Sequence, residues 1–273
     1  MTHTFPHAPM QTKPLFTRAR LLTALASTCA LTLTACGGGS DAPDLTPTSS
    51  LTQGRWLSTG LTPAYTAIVV PASTGANTPA VDTVWALAQD ASTLIKLKAS
   101  GPVLTAGAVT GNVYMLGTSN VTAVSGASYT IQTTTGAGAS SQMAIQPLLG
   151  TTALFDRSDA MATALRADQA NGTWQADLGS ARVNWTVQSA AAGTNNLSGT
   201  STTGCTYSGH TSVVSAQSLY KVQFTETCPG SGTPSTQTFH GVATLSTADA
   251  RLTVVATNEA ETRAAALLFA KQP

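Results

Sequence analysis

The stretch Arg182-Val183-Asn184-Trp185-Thr186-Val187-Gln188 decides the fold class of this 273-residue chain. Val183, Trp185 and Val187 alternate with four polar residues, the period-two pattern of a strand with one face in a core and the other in water. The pattern extends in both directions. Upstream, Gly172-Thr173-Trp174 opens a second apolar segment. Downstream, Cys205 and Tyr207 share a face, and so do Tyr220, Val222, Phe224 and Cys228. Further strands are expected over 238–245, 251–256 and 264–270, with turns at Asp249-Ala250 and Asn258-Glu259. Gly199, Gly204, Gly209 and Gly241, in or beside these segments, are expected at bulges or sharp bends of a closing sheet.

Gly54-Arg55-Trp56 echoes Gly172-Thr173-Trp174 and opens a similar first half. Strands are read at 65–70, 83–88, 93–98, 112–116 and 128–132, with Gln89-Asp90-Ala91-Ser92 as a hairpin loop. Residues 133–152 are rich in Thr, Gly, Ala and Ser and read as a loop or weak strand. Ser158-Asp159 then precedes Ala160–Gln169, where Met161, Ala164 and Leu165 fall at helical spacing and Asn171-Gly172 is a stop signal. The expectation is an all-β chain. Two small antiparallel β-barrel or β-sandwich domains, residues 54–152 and 172–273, are joined by a short helix within 153–171.

The N-terminus carries a different signal. Lys13, Arg18 and Arg20 lead into the apolar stretch Leu21–Thr34, with no acidic residue before Cys36. A run of about 15 residues falls short of the ~20 that span a bilayer, so residues 1–35 read as a cleaved secretory signal. Met10 is an alternative start. Residues 36–53 form a Gly-, Ser-, Thr- and Pro-rich flexible tether. Removing residues 1–35 takes three of the 13 basic residues and none of the 12 acidic ones, leaving a net charge near −2. A basic footprint for nucleic acid is missing, as is a polybasic membrane patch.

Leu33-Thr34-Ala35-Cys36 resembles the lipobox of Gram-negative lipoprotein signals, with Leu33 at −3, Ala35 at −1 and Cys36 at +1. The resemblance implies diacylglycerol on the Cys36 sulfur and a further acyl chain, such as palmitate, on its amine. Two or more chains give stable anchoring. Gly37, where an Asp is absent, implies export to the outer membrane. Residues 172–273 resemble a C-terminal module of uncharacterised proteobacterial lipoproteins. The likeness rests on Gly172-Thr173-Trp174, Leu197-Ser198-Gly199, Gly204-Cys205-Thr206-Tyr207-Ser208-Gly209, Tyr220-Lys221-Val222, Cys228 and the ending Leu268–Gln272. It implies a β-rich, surface-facing accessory protein and supplies no catalytic residue.

Beyond Cys36, the exported chain keeps Cys205 and Cys228, an even pair that reads as a disulfide. Two cysteines are too few for a metal site, and the spacing is not C-x-x-C. His210, His240 and Glu226 are one candidate set of three metal ligands, but no H-x-H or H-E-x-x-H spacing supports it. Surface or strand-edge histidines are the plainer reading, with His210 following a turn region over 204–209. Ser218-Leu219-Tyr220-Lys221 matches S-x-x-K by letters only, because residues three apart on a strand face opposite ways. Asp156 and Asp159 read as helix-start carboxylates, and Glu259 and Glu261 as turn residues. Trp56, Trp85, Trp174 and Trp185 fall two to a unit, as core or as the lining of a ligand cavity.

These readings point to a non-enzymatic, lipid-anchored outer-membrane protein without a cofactor, holding an envelope protein partner and no nucleic acid. One alternative is a lipocalin-like binder of a small apolar ligand inside a barrel. Another is a hydrolase with an unrecognised site.

Overall fold

Among the described residues sixteen strands form, and the closure of each set of eight gives the chain its interior. The computed structural model describes residues 54–70, 82–100, 106–133, 141–159, 161, 163, 165–191, 193–214 and 218–273. The signal, the tether and Cys36 lie outside the described residues. The first barrel comprises β1 (Gly54–Thr59), β2 (Tyr65–Val70), β3 (Thr83–Ala88), β4 (Thr93–Ala99), β5 (Ala106–Met115), β6 (Val121–Thr133), β7 (Ser141–Leu148) and β8 (Thr151–Asp159). Each strand pairs antiparallel with the next, and β8 returns to β1 with Trp56 opposite Arg157 and Ser58 opposite Phe155.

The second barrel comprises β9 (Gly172–Leu178), β10 (Ala181–Ser189), β11 (Thr194–Ser201), β12 (Thr206–Val213), β13 (Leu219–Cys228), β14 (Ser235–Ser246), β15 (Arg251–Asn258) and β16 (Ala264–Lys271). It closes where Ala270 and Lys271 of β16 lie opposite Gln175 and Trp174 of β9. Of the two sheet architectures expected, the chain adopts barrels. The Gly-x-Trp echo opens both: Gly54 and Gly172 have φ of 141° and 134°, and Trp56 and Trp174 are buried in their respective barrels.

Eight strands enclose a space that side chains can just fill. In β10, Val183, Trp185 and Val187 point inward and are each 1% exposed, while Arg182 and Gln188 face solvent. The Trp185 ring lies 4.6 Å from Phe269 and 5.1 Å from Phe224, and Phe224 stacks on Phe239 at 5.0 Å. Trp56, Ile95, Leu97, Met143 and Phe155 fill the first barrel in the same way. Outward side chains such as Asp177, Arg182 and Gln188 are polar and exposed. A membrane-spanning barrel has the reverse pattern, apolar outside and polar within.

Large rings in so narrow a space need bare backbone beside them. Gly199, Gly209 and Gly241 lie mid-strand, in ladders that run through them without a register shift, so the expected bulges are not formed there. A Cβ on Gly241 would stand 1.9 Å from the Val255 carbonyl oxygen, so β14 and β15 approach more closely there than any side chain permits. Cys205, just ahead of β12, and Cys228, at the end of β13, form the expected disulfide. It ties the ends of two paired neighbours at one rim of the barrel.

Two readings of the sequence are corrected. Residues 133–152 include β7 and the start of β8, with Met143, Ile145 and Ala153 supplying the inward face. The first barrel therefore runs on to Asp159, past the expected boundary at 152. The described residues of the expected joining helix form no α-helix: Ser158 and Asp159 belong to β8, and the Ser158 hydroxyl donates to the Arg55 carbonyl at 3.2 Å. Of Ala160–Gln169, residues 160, 162 and 164 lie outside the described residues, and the rest is irregular apart from a 3-10 turn at Ala167–Ala170. The apolar residues that mimicked helical spacing have separate jobs. Met161 packs between the barrels, and Leu165 packs against the core of the second.

The turn at Ala167–Ala170 caps one end of the second barrel. The Trp174 indole N–H donates to the Ala170 carbonyl at 2.8 Å, and the Tyr220 hydroxyl donates to the Arg166 carbonyl at 2.8 Å. Burial, with the Asp168 carboxylate nearby, pushes the Tyr220 hydroxyl up to about 12, so it stays a donor.

Two substitutions test this architecture. Cys228→Ser opens a link with a sequence separation of 23 and is expected to lower stability by about 3 kcal/mol. Gly241→Ala forces β14 from β15 and is expected to cost about 1–3 kcal/mol. Urea unfolding under non-reducing conditions measures both.

Candidate functional site

The strand Thr93-Leu94-Ile95-Lys96-Leu97-Lys98 sends Ile95 and Leu97 into the first barrel and Leu94, Lys96 and Lys98 outward. Leu94 is nonetheless 0% exposed. Its cover is the second barrel. Ile68, Val70, Trp85, Leu94 and Tyr114 on the outer face of β2–β5 pack against Leu219, Val242, Val255 and Ala266 on the outer face of β13–β16, with Met161 between. This seam welds the two barrels through apolar surface.

A polar clamp closes one side of the seam. Glu261, in the β15–β16 turn, holds a left-handed φ of 53° and reaches across to β4. Its Oε1 accepts from Lys96 Nζ at 2.9 Å and from Lys98 Nζ at 2.6 Å. Lys96 also donates to the Thr257 hydroxyl at 2.9 Å and lies 4.8 Å over the Trp85 ring. The Tyr114 hydroxyl donates to the Glu261 carbonyl at 3.2 Å. Burial pulls the Lys96 ammonium below its ordinary value, against the pull of Glu261. Burial also pushes the Glu261 carboxyl up, but the hydrogen bonds and charges of Lys98 and Lys96 outweigh it, and the net displacement is downward.

Two grooves open along the seam and share Trp85 and Val242. One, of about 510 Å³, is lined by Ile68, Leu87, Val255 and Leu268, with Arg55 and Arg251 among its polar residues. The other, of about 420 Å³, is lined by Lys96, Lys98, His210, Lys221, His240 and Glu261. In the second barrel's register His210 lies opposite Gln223, Gln223 opposite His240, and His240 opposite Thr257. These residues form one outward row that leads to the Lys96 clamp.

The fate of each expected residue follows from this geometry. His210 lies within β12 rather than after a turn, and both histidines are exposed in the cationic groove. Glu226 is not with them: it faces the barrel rim beside the disulfide, where its Oε1 accepts from the Tyr207 hydroxyl at 2.9 Å. The His210–His240–Glu226 metal set is therefore not assembled. Among the described residues the grouping with metal-ligand proximity is Cys205, Glu226 and Cys228, and its sulfurs are joined to each other.

Ser218 and Lys221 line different grooves. Asp156 starts no helix; its Oδ1 accepts from Gln142 Nε2 at 2.8 Å. Trp56, Trp174 and Trp185 are core, whereas Trp85 lies in the seam. Glu261, read as a turn residue, is the centre of the clamp. The sole sequence signal for the seam was the unbroken apolar run, as in Ile68-Val69-Val70 and Val254-Val255-Ala256, which marks strands buried on both faces.

No family model and no curated protein matches the chain. Among solved structures, a "putative outer membrane protein" from Bacteroides fragilis is similar over 82% of this chain and 99% of that chain, at 12% identity and a TM-score of 0.23. A likeness this slight decides neither fold nor function.

Glu261→Gln is expected to lower stability by about 1–3 kcal/mol near neutral pH, because it leaves the half-buried Lys96 without its charge partner. The Glu261 pKa is depressed in the fold, so its contribution is present above the ordinary carboxylate range and is lost as pH falls through the lower folded value. The gap between wild type and variant, read by urea unfolding, should close as pH drops below about 4.

Proposed function

We propose that this chain is a lipid-anchored envelope protein with a structural or protein-interaction role and no catalytic activity. Cys36 carries the acyl chains, and residues 37–53 tether the double barrel to the outer membrane. The observation that carries this reading is the construction of the barrels, with filled apolar interiors and polar outer strands. Such barrels have no lipid-facing band of their own, which supports an attachment made by another part of the chain. Leu33-Thr34-Ala35-Cys36 supplies it. The apolar seam packs the two barrels against each other, and the tether lets that unit meet a partner within its reach of the membrane.

A second reading draws on the groove lined by Ile68, Leu87, Val255 and Leu268. A small apolar ligand would sit there rather than inside a barrel, since both interiors are packed with side chains. Its volume is in the range of small-molecule sites, about 300–1,000 Å³.

Cys36→Ser is the test of the anchoring reading. The variant is expected to accumulate as uncleaved precursor, to incorporate no labelled palmitate and to leave the outer-membrane fraction. Normal acylation and fractionation would overturn it.

A further inference from the structure

We infer that the cationic groove between the barrels is a binding site for phosphate esters. The inference goes beyond the anchoring role and stands on the groove alone. The chain is poor in charge, with 9% charged residues and 13 lysines and arginines in all. Its five lysines are Lys13, Lys96, Lys98, Lys221 and Lys271. Three of these line one groove, and so do both histidines of the described residues. A random scatter of so few cations over sixteen strands would not converge there.

The groups come from both barrels. Lys96 and Lys98 rise from β4, His210 from β12, Lys221 from β13 and His240 from β14. The opposing charge in the groove is Glu261, and both Lys96 and Lys98 already contact its carboxylate. The local balance is therefore three lysines against one carboxylate. Lys221 is exposed and has no ion pair among the described residues. Ser212 and Gln223 add neutral donors beside it.

This donor set favours phosphate over carboxylate. A phosphate monoester brings close to two negative charges and three acceptor oxygens where a single carboxylate brings one charge and two oxygens, and lysine binds phosphate as a point charge, so a groove of three lysines and two imidazoles rewards the phosphate more. Imidazole N–H groups donate in either protonation state. A volume of about 420 Å³ leaves room for a phosphate and the glycerol- or sugar-sized group that bears it. Lys96 and Lys98, fixed by Glu261, form a preset wall. Lys221, His210 and His240 stand exposed on the wall built by the second barrel.

The test is titration of the acylated chain, in neutral detergent at low salt, with inorganic pyrophosphate. Binding is followed by calorimetry and by the imidazole proton resonances of His210 and His240. The expected result is saturable binding that shifts both imidazoles and fades with added salt. Lys221→Gln should weaken it about tenfold, the worth of one charge-assisted contact. His210→Gln with His240→Gln should also weaken it. These side chains are exposed, and unchanged urea unfolding of each variant will show that the fold is kept.

A parallel titration with short-chain phosphatidic acid identifies the source. Tighter binding than pyrophosphate marks a lipid headgroup, and equal or weaker binding marks a free phosphate compound. Either supports the site. No saturable pyrophosphate binding, binding indifferent to Lys221→Gln, or equally tight binding of citrate would overturn the inference. None of these outcomes bears on Cys36, whose acylation is tested separately.

Discussion

The space inside an eight-stranded barrel is fixed by strand number, and everything else in this structure adjusts to it. Rings fill it, with Phe269, Trp185, Phe224 and Phe239 in contact one after another in the second barrel. Rings in so tight a space demand glycine on the strands beside them. Those glycines let neighbouring strands close, and closure removes the open edges that would otherwise seek another chain. A filled interior also leaves no room for a ligand, so any recognition has to take place on the outside.

The outside is where the two barrels differ from a pair of independent units. Most outward positions are polar, but one strip on each barrel is apolar, and the strips cover each other. Apolar area alone is non-directional. The Glu261 clamp adds direction, because one carboxylate must meet two lysines that alternate on a single strand. Sliding the barrels past one another would strand a half-buried Lys96. Part of the charge that fixes the weld also lines a groove, so alignment of the barrels and the character of that groove are set by the same residues.

Much of the fold was legible because period-two alternation survives wherever one face is core and the other is water, as in Val183, Trp185 and Val187. It was lost in β7 and β8, where residues 133–152 are dominated by Thr, Gly, Ala and Ser and the inward face needs just a few apolar residues. The helix expected after Ser158 failed for another reason. Met161 and Leu165 are apolar because they pack on two different surfaces, and their spacing coincides with a helical turn. The site was less legible still. Lys96 and Glu261 are 165 residues apart, and only closure of both barrels brings them together. Histidines two strands apart in the register carry no local motif. Trp85 looks like any core tryptophan in the sequence, since a residue buried between domains and one buried within a domain obey the same hydropathy.

The apolar strip on β2–β5 has a further consequence, one of timing. A chain is made from its N-terminus, and domains fold as they become available. The first barrel can close once β8 has emerged, before β13–β16 exist to cover it. For that interval Ile68, Val70, Trp85 and Leu94 lie on the surface of a finished barrel, facing water. The surface that later packs the barrels together is, for a moment, the protein's most adhesive. The passage between the barrels, from Asp159 to Gly172, is short in sequence, and it keeps the arriving half close by. That brevity shortens the wait, and it favours the chain's own second barrel over a stranger's.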